Sequence, residues 1–487
     1  MVLPQLFLVA GCYLISPVTA ALQVPLSFEN TAVVRTIELG GSEVHVTTSY
    51  TTRSLGKENN VYYFVVPKKE DDKTSWVDVK IKGQSSPLLV EKHGIDALLH
   101  KSQPVIYYSV DLPKWLNINE SVTLLVNTIE SHASIPLPAT AKQNDPQSLL
   151  YETGAYVQSP YTTVNQRTKI RSPSPTIHSY SDPPSLSRFA VNAPVTKSGA
   201  SVTYGPFKDI PPSDDGGFSD EIQETVKVHY QYEKPLVTVA LLRRAAEISH
   251  WGSNLNIQDN IHLRNDGPRL DGHFSRLQFQ QQAYQRAVGN HVLGSFTIRL
   301  PPDVRDPYYT DIVGNVSTSR FRPAPPKVKS RASERFSSLD VRPRYPLLGG
   351  WNYSFTLGWD TPLENSAVYD KSQNKYTIRS VVDDAEVKVI LPEGARADIQ
   401  IYTPFAMDSI ARDTHITFLD TKGRPSITLS KRNLTEKHTS PIYVTYTVSL
   451  SAHFSKVVAV SSAAFLLFSL MFVVRRVDTT IRSNTQK

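Results

Sequence analysis

Two stretches of the chain alternate apolar and polar residues along their length. They are residues 226–232, VKVHYQY, and residues 442–450, IYVTYTVSL. A period of two places every second side chain on the same face of a strand, so each stretch predicts a strand with one buried face. Shorter runs rich in β-branched and aromatic residues predict further strands at 44–50, 61–66, 77–81 and 106–110. The pattern therefore indicates a mainly β protein.

One long apolar run near the C-terminus has a different character. Residues 457–474, VVAVSSAAFLLFSLMFVV, carry no charge, with Lys456 before them and Arg475 and Arg476 after them. As a helix, with a rise of about 1.5 Å per residue, the run reaches roughly 27 Å, close to the hydrocarbon thickness of a bilayer. We predict a transmembrane helix over 456–475.

The N-terminus predicts the orientation of that helix. A short apolar run at 6–15 is followed by the small residues of VTA at 18–20, which predicts a signal peptide over 1–20, cleaved between Ala20 and Ala21. The tail, 476–487, is basic and is expected to stay in the cytosol. The chain is then a type I membrane protein, with residues 21–455 lumenal or extracellular.

Several segments of the first half of the chain have counterparts, in the same order, in the second half. Residues 33–38, 52–56, 63–67, 76–83 and 168–173 correspond to 241–247, 263–267, 297–301, 309–314 and 387–392. Each half also ends on one of the two alternating stretches. This order indicates a diverged duplication. We predict two tandem β-sandwich-like domains over 21–232 and 233–455, with 226–232 and 442–450 in equivalent places.

Composition narrows the class of protein. The only cysteine among the 487 residues is Cys12, inside the predicted signal peptide, so no disulfide is expected after cleavage. This absence favours an internal membrane and an obligate complex over an exposed cell-surface protein. The net charge of +7 is spread along the chain, which is typical of a mildly basic glycoprotein surface and does not favour nucleic acid as a partner.

Motifs of catalysis are missing from the sequence. We find no HExxH, GxSxG, phosphate-binding loop or GxGxxG pattern, and we predict no catalytic residue, metal site or cofactor. The one clear signature is a set of sequons, which predicts glycosylation at Asn119, Asn315, Asn352 and Asn433. A basic segment, 320–344, is interpreted as a solvated loop, with a docking arm for an acidic partner or lipid headgroup as the alternative.

Five ordered motifs carry a resemblance to a known family. They are HWG at 250–252, FSR at 274–276, YYTDIVGNVSTS at 308–319, PRYPLLGGW at 343–351 and ILPEGA at 390–395. Together they resemble the ribophorin I family, the large single-span subunit of the oligosaccharyltransferase complex in the endoplasmic reticulum. The short tail looks more like that of a fungal member than that of an animal member.

The resemblance implies a non-catalytic subunit acting in assembly and substrate guidance. That complex transfers a preassembled oligosaccharide from dolichol pyrophosphate to the Asn of N-x-S/T sequons in nascent proteins. The implied partners are the catalytic and accessory subunits, nascent polypeptides and the lipid bilayer. Within the motifs, Trp251 and Trp351 are expected to be packing or interface anchors rather than ligands for sugar. A β-rich cell-surface receptor or adhesion protein is the main alternative, and a membrane-anchored hydrolase is a third interpretation.

Overall fold

The structure of the chain is a computed structural model. It describes residues 24–56, 59–93, 105–213, 218–285, 289, 291–326, 335–365, 367–370, 375–381, 385–395, 399–418, 420 and 422–476. The predicted signal peptide, its cleavage site between Ala20 and Ala21, and the tail beyond Arg476 lie outside the described residues.

The first half of the chain is built from strands with one short helix, α1 (Lys68–Asp71). Short helical turns lie at Pro184–Arg188 and Phe218–Ile222. The strands are β1 (Phe28–Glu38), β2 (Glu43–Ser54), β3 (Asn59–Pro67), β4 (Thr74–Ile81), β5 (Val90–Lys92), β6 (Val105–Leu116), β7 (Ser121–Ser131), β8 (Ser134–Pro136), β9 (Thr140–Ala141), β10 (Ser148–Gly154), β11 (Thr163–Arg171), β12 (Ile177–Tyr180), β13 (Val195–Ser198), β14 (Ser201–Ile210) and β15 (Thr225–Gln231).

The second half has the same character and adds two helices, α2 (Arg276–Gln285) and α3 (Leu450–Arg476). Short helical turns lie at Leu363–Asn365 and Glu436–His438. The strands are β16 (Val237–Ser249), β17 (Asn254–Asn265), β18 (Arg269–Leu270), β19 (Phe296–Leu300), β20 (Arg305–Asp311), β21 (Gly314–Asn315), β22 (Ser319–Arg322), β23 (Ser337–Val341), β24 (Asn352–Pro362), β25 (Ala367–Asp370), β26 (Lys375–Val381), β27 (Ala385–Ile390), β28 (Gln400–Tyr402), β29 (Ser409–His415), β30 (Arg424–Lys431) and β31 (Pro441–Thr447).

A seven-stranded sheet organises the first half, in the order β13-β14-β11-β1-β2-β7-β4. Side chains of β2 alternate between buried and half-buried positions, so one face of this sheet is turned inward. On that face Val44 and Val46 pack in a core with β10, β11 and β15, while Tyr50 packs in a second core with β3 and β6. Two smaller sheets, β12-β15-β10-β8 and β3-β6-β5, thus cover the large sheet in a sandwich-like arrangement.

An eight-stranded sheet organises the second half, in the order β21-β20-β24-β17-β16-β27-β30-β29. Two smaller sheets, β25-β26-β31-β28 and β19-β23-β22, accompany it. One continuous apolar core joins β16, β17, β24, β27 and β30 of the large sheet to β19, β23 and β31. The mainly β, sandwich-like architecture expected from the sequence is therefore confirmed.

The strand order of the first half recurs in the second. The row β4-β7-β2-β1-β11-β14-β13 matches β20-β24-β17-β16-β27-β30-β29 position by position, and the smaller sheets match in order as well. In each large sheet the first strand pairs in parallel with its later neighbour, β1 with β11 and β16 with β27. The predicted equivalence of 226–232 and 442–450 is confirmed, since β15 and β31 hold the same place. The repeated topology supports the duplication.

The pairing registers align the two halves residue by residue. In the first half Arg35 lies opposite Thr48 on β2 and Thr168 on β11. In the second half Arg244 lies opposite Asp259 on β17 and Val387 on β27. The corresponding segments 168–173 and 387–392 match Thr168 with Val387, so Arg35 matches Arg244 and Thr48 matches Asp259. Their neighbours along β2 and β17 can therefore be compared directly.

Two sequence expectations need correction. Leu450 was expected to continue the last alternating strand, but β31 ends at Thr447 and Leu450 is the first residue of α3. The basic segment 320–344 was interpreted as a loop. Instead, β22 overlaps its start, β23 lies near its end, and the two strands pair antiparallel. Arg322 forms an ion pair with Asp340 on the opposite strand, which explains why basic residues are compatible with a hairpin here. Residues 327–334 of this segment lie outside the described residues.

The two halves contact each other through backbone and side-chain hydrogen bonds. β9 of the first half pairs in parallel with β18 of the second. The Ser42 hydroxyl donates to the Val237 carbonyl at 3.1 Å, and the Gln147 amide donates to the Lys234 carbonyl at 2.9 Å. Trp76 of the first half meets His438 of the second edge to face, with ring centroids 5.0 Å apart.

Candidate membrane-proximal site

The last described helix, α3, has the length and composition of a membrane span. Its part Phe454–Arg476 has a mean hydropathy of 2.5, and no part of the apolar stretch is buried. At about 1.5 Å per residue it is long enough to cross the roughly 30 Å hydrocarbon core of a bilayer. An apolar helix exposed on every side needs a nonpolar solvent around it. The predicted C-terminal membrane helix is therefore present, beginning slightly earlier than expected.

Lys456, near the start of this helix, is tied to the second half by two ion pairs. Its ammonium group lies 2.8 Å from Glu393 Oε2 and 3.2 Å from Asp420 Oδ1. Glu393 follows β27, and Asp420 lies on the loop between β29 and β30. The pairs thus join two separate loops of the β domain to the first turns of the helix.

Asp420 is the most heavily bonded residue of this group, and its side chain is fully buried. One carboxylate oxygen accepts hydrogen bonds from the Thr417 amide at 2.9 Å and the Thr417 hydroxyl at 2.7 Å. The other accepts from Arg424 Nε at 3.1 Å and from Lys456. Burial alone would raise the pKa of Asp420, but these donors outweigh it and hold the pKa well below its usual range. Asp420 therefore stays ionised at neutral pH.

Exposed apolar side chains surround the start of the helix. Trp251, on the turn between β16 and β17, is 59% exposed and meets Phe454 edge to face at 6.3 Å between ring centroids. Ile416 and Phe418 are also exposed, on the loop that Asp420 ties to Lys456. We call Trp251, Ile416, Phe418 and Phe454 the apolar collar. Aromatic residues at this level are typical of the membrane–water interface.

Trp351 lies far from the collar, although the sequence grouped it with Trp251. Pairing of β16 with β17 puts Ser249 opposite Asn254 beside Trp251, whereas Trp351 O accepts the amide of Asn265 at the other end of β17. The twelve residues of β17 span roughly 36 Å. Trp351 is half-buried and packs edge to face on Phe274 and Tyr345, at 5.4 and 5.9 Å. Its surroundings are those of a packing residue, and those of Trp251 suit an interface.

All four sequon asparagines lie on the surface. Asn119 and Asn433 have positive φ, at 65° and 55°, in turns where asparagine is one of the few residues tolerated. Asn315 lies on the short strand β21 and Asn352 begins β24. In the fourth sequon the asparagine is exposed but the threonine is buried, since Thr435 is only 4% exposed. Attachment at Asn433 would therefore have to precede folding of that segment.

The carboxylates within the family-like motifs stabilise turns. Asp311, with a side chain 3% exposed, accepts hydrogen bonds from the amides of Val313 and Gly314 and pairs with Arg344. The Arg344 guanidinium holds the pKa of Asp311 below its usual range. Glu393 accepts the Lys422 amide at 2.8 Å besides pairing with Lys456. Both acids therefore serve local structure.

Sequence reasoning missed Asp420 and Phe418. Lys456 could have been noticed, because it is the last charge before the apolar run. Nothing in the sequence pairs it with Asp420, which lies 36 residues earlier. Among the residues that the structure describes, no group of three or more His, Asp or Glu side chains is arranged to hold a metal ion.

Comparison with known sequences identifies the family. A sequence model described as Ribophorin I matches residues 28–475. The chain belongs to the ribophorin I family. The resemblance noted from the five motifs is thereby confirmed, and it extends through both β halves into the membrane helix of this ribophorin I family member.

Three relatives are named as subunit 1 or 1B of the same glycosyltransferase. The chain is 30% identical over 466 residues to dolichyl-diphosphooligosaccharide–protein glycosyltransferase subunit 1 of Caenorhabditis elegans, covering 93% of this chain and 73% of the relative. Subunit 1B of Oryza sativa is 31% identical, and the match covers 77% of this chain and 74% of the relative. Subunit 1B of Arabidopsis thaliana is 30% identical, and the match covers 77% of this chain and 76% of the relative. A yeast LTA4 hydrolase structure aligns over 44% of this chain and 30% of its own, at 10% identity and a TM-score of 0.26, too weak a likeness to carry an argument.

Proposed function

We propose that this ribophorin I family member is a subunit of the oligosaccharyltransferase complex in the endoplasmic reticulum membrane. The observation that carries the proposal is the similarity to relatives named as subunit 1 of that glycosyltransferase, which extends over about three quarters of their length. The complex transfers an oligosaccharide from a dolichyl diphosphate carrier to protein. A cell-surface receptor or adhesion protein is not favoured by these relatives.

In this proposal the chain performs none of the bond chemistry. Support comes from the acids of the motifs, since Asp311 and Glu393 are both engaged in ion pairs that hold turns or the membrane helix. A carboxylate so engaged is poorly placed to exchange a proton with a substrate. The chain would act instead in assembly and in guiding nascent polypeptides to a separate catalytic subunit.

The proposed topology is type I, with both β domains in the lumen. The domains would span 21–232 and 233–455, followed by the membrane helix over 456–475 and a cytosolic tail over 476–487. Glycans would be carried at Asn119, Asn315, Asn352 and Asn433, all of which are exposed. The apolar collar and the outer surface of α3 would meet lipid and the other subunits.

Purification of the complex tests the proposal. A tagged chain solubilised in a mild detergent should bring down the catalytic and accessory subunits, identified by mass spectrometry. Surface biotinylation of intact cells is the matched experiment for the alternative. Recovery of the chain at the cell surface without those subunits would contradict membership of the complex.

The non-catalytic role needs a second experiment. Asp311→Asn and Glu393→Gln should lower glycosyl transfer only in proportion to lost folding or assembly, because neither acid is expected to lower a reaction barrier. Transfer to a sequon peptide is measured per assembled complex. Either variant, if folded and assembled yet inactive, would show that this chain carries catalysis.

A further inference from the structure

A large cavity lies mainly in the second half, between the inner face of the eight-stranded sheet and β19, and Ser42, Glu43, Ser131 and His132 of the first half border it. Its volume is about 1540 Å³. Ligand pockets in proteins are commonly about 300–1,000 Å³, so this space is large enough for an extended molecule. Its walls are mainly apolar and include Ile257 and Ile261 of β17, Leu357 and Trp359 of β24, and Ile298 and Leu300 of β19.

The first half shows that the fold does not require this cavity. The equivalent space, between β1, β2, β7 and β3, has a volume of about 50 Å³. Tyr50 lies two residues after Thr48, as Ile261 lies two residues after Asp259, so these side chains occupy equivalent positions. The aligned segments 63–67 and 297–301 likewise place Phe64 opposite Ile298. Tyr50 and Phe64, whose aromatic rings fill the space in the first half, are therefore replaced by the smaller Ile261 and Ile298 in the second half.

Polar groups in the cavity wall are few and sharply placed. Arg244 donates two hydrogen bonds to Asp259, both 2.8 Å long, and this pair is nearly buried. The indole N–H of Trp359, which is 4% exposed, has no hydrogen-bond partner within the described part of the chain. The Thr238 hydroxyl in the same wall also has no hydrogen-bond partner within the described part of the chain. Because buried donors are nearly always paired in native proteins, these two groups are the places in the wall where a bound molecule can supply an acceptor.

Charges at the rim of the cavity are mainly positive. Apart from the Arg244–Asp259 pair, Glu43 and Glu436 are the acids among the described lining residues. The cations are Arg264, Arg299, Lys431 and Arg432, of which Arg264 pairs with Asp266 and Lys431 with Asp408. Arg299 and Arg432 are exposed, so an anionic group at the rim would meet these two positive charges without entering the apolar interior.

We propose that this cavity binds a single-chain amphiphile, with its hydrocarbon tail between the sheets and an acidic headgroup at the basic rim. A polypeptide would suit the walls poorly, because each buried backbone amide and carbonyl needs a hydrogen-bond partner and the walls offer few. A hydrocarbon chain needs none. The proposal is independent of the role in the oligosaccharyltransferase.

Photolabelling of the complete chain tests the proposal. The chain is reconstituted in phosphatidylcholine nanodiscs and irradiated with a long-chain fatty acid that carries a diazirine in its tail, and labelled peptides are mapped by mass spectrometry. We expect label on β17, β19 and β24 as well as on α3. Label on α3 reports contact with the bilayer and serves as the internal standard. A fatty alcohol of the same tail should label the cavity strands less, because it lacks the acidic headgroup.

Variants that restore the first half's residues test the space itself. Ile261→Tyr combined with Ile298→Phe should reduce cavity labelling at least ten-fold and leave α3 labelling unchanged. Ile410→Tyr makes a matched change on the exposed face of β29 and should leave both unchanged. Trp359→Phe removes the unpaired donor and keeps an aromatic ring, although a smaller one, and should weaken labelling about two- to ten-fold, the equivalent of one neutral hydrogen bond.

The outcomes that would overturn the proposal are specific. Label confined to α3 in the unaltered chain would show that the cavity takes up no amphiphile. Full cavity labelling in the double variant, with an unchanged melting temperature, would place the label outside this space. Should the double variant fail to fold, undiminished labelling of Trp359→Phe together with equal labelling by the fatty alcohol would overturn the proposal. Protection of the cavity strands by an apolar peptide, but not by fatty acid, would assign the space to a polypeptide.

Discussion

Replacing Asp420 with asparagine would test whether the ion pairs at the start of α3 hold the helix to the second β half. The variant keeps the shape of the side chain and removes its charge. Lys456 and Arg424 would then each lose a buried anionic partner. Removal of one partner from a buried ion pair typically costs about 3–5 kcal/mol. Lys456 is 38% exposed and keeps Glu393 as a second partner, and Arg424 keeps Glu247, so we expect the low end of this range, about 3 kcal/mol.

The assay is thermal unfolding of the complete chain in nanodiscs, followed by intrinsic fluorescence. For a unit of 150–250 residues, a loss of about 3 kcal/mol lowers the melting temperature by roughly 6–12 °C. The pKa of Asp420 is held below its usual range, so its contribution is present above the unfolded-state pKa of about 4 and is lost as the pH falls toward the folded value. The difference between Asp420→Asn and the unaltered chain should therefore be full at pH 7 and shrink below about pH 4.

Asp413→Asn is the matched control. It makes the same chemical change on the neighbouring strand β29, where Asp413 is exposed and accepts the Thr414 amide at 2.7 Å. We expect its effect to stay within about 0.5 kcal/mol, as for most surface substitutions. If Asp420→Asn melts within the range of Asp413→Asn at pH 7, the ion pairs do not stabilise this junction and the reasoning is refuted.

Three further predictions concern other parts of the chain. Burial and the nearby Glu70 raise the pKa of Glu130 to about 8, so the folded chain binds more protons than the unfolded chain between about pH 4.5 and 8. The melting temperature should therefore fall as the pH rises through this range, and Glu130→Gln should make that fall smaller. A charge at the middle of α3, Phe465→Asp, costs about 2.5–3.5 kcal/mol of membrane insertion and should reduce co-purification of partner subunits, with Phe465→Leu as the control. A reducing agent should leave the melting temperature of the mature chain unchanged, because Cys12 is the only cysteine and lies in the predicted signal peptide; a shift would mean that Cys12 is retained and bridges to a second molecule.

Periodicity in the sequence was sufficient for the strands, the membrane helix and the repeat. The stretches at 226–232 and 442–450 had to keep their alternation, since a strand that buries one face tolerates no change of period. The same constraint preserved the order of the echoing segments, and so the equivalence of β15 and β31 could be predicted before any strand pairing was known. The membrane helix after Lys456 could be predicted for a related reason, because a lipid environment admits almost no charge along a helix.

Tertiary structure alone decided which distant residues meet and how much space lies between them. Asp420 reaches Lys456 across 36 residues because the turn after β29 returns beside the start of α3, and no local pattern encodes that return. Trp251 and Trp351 both belong to family-like motifs, yet β17 holds them at opposite ends of the sheet. Ile261 and Ile298 are ordinary strand residues in the sequence. In the second half these two residues border a large cavity, whereas Tyr50 and Phe64 fill the equivalent space in the first half. The difference depends on the spacing of two sheets, which is set by all the packed side chains together and by no single segment.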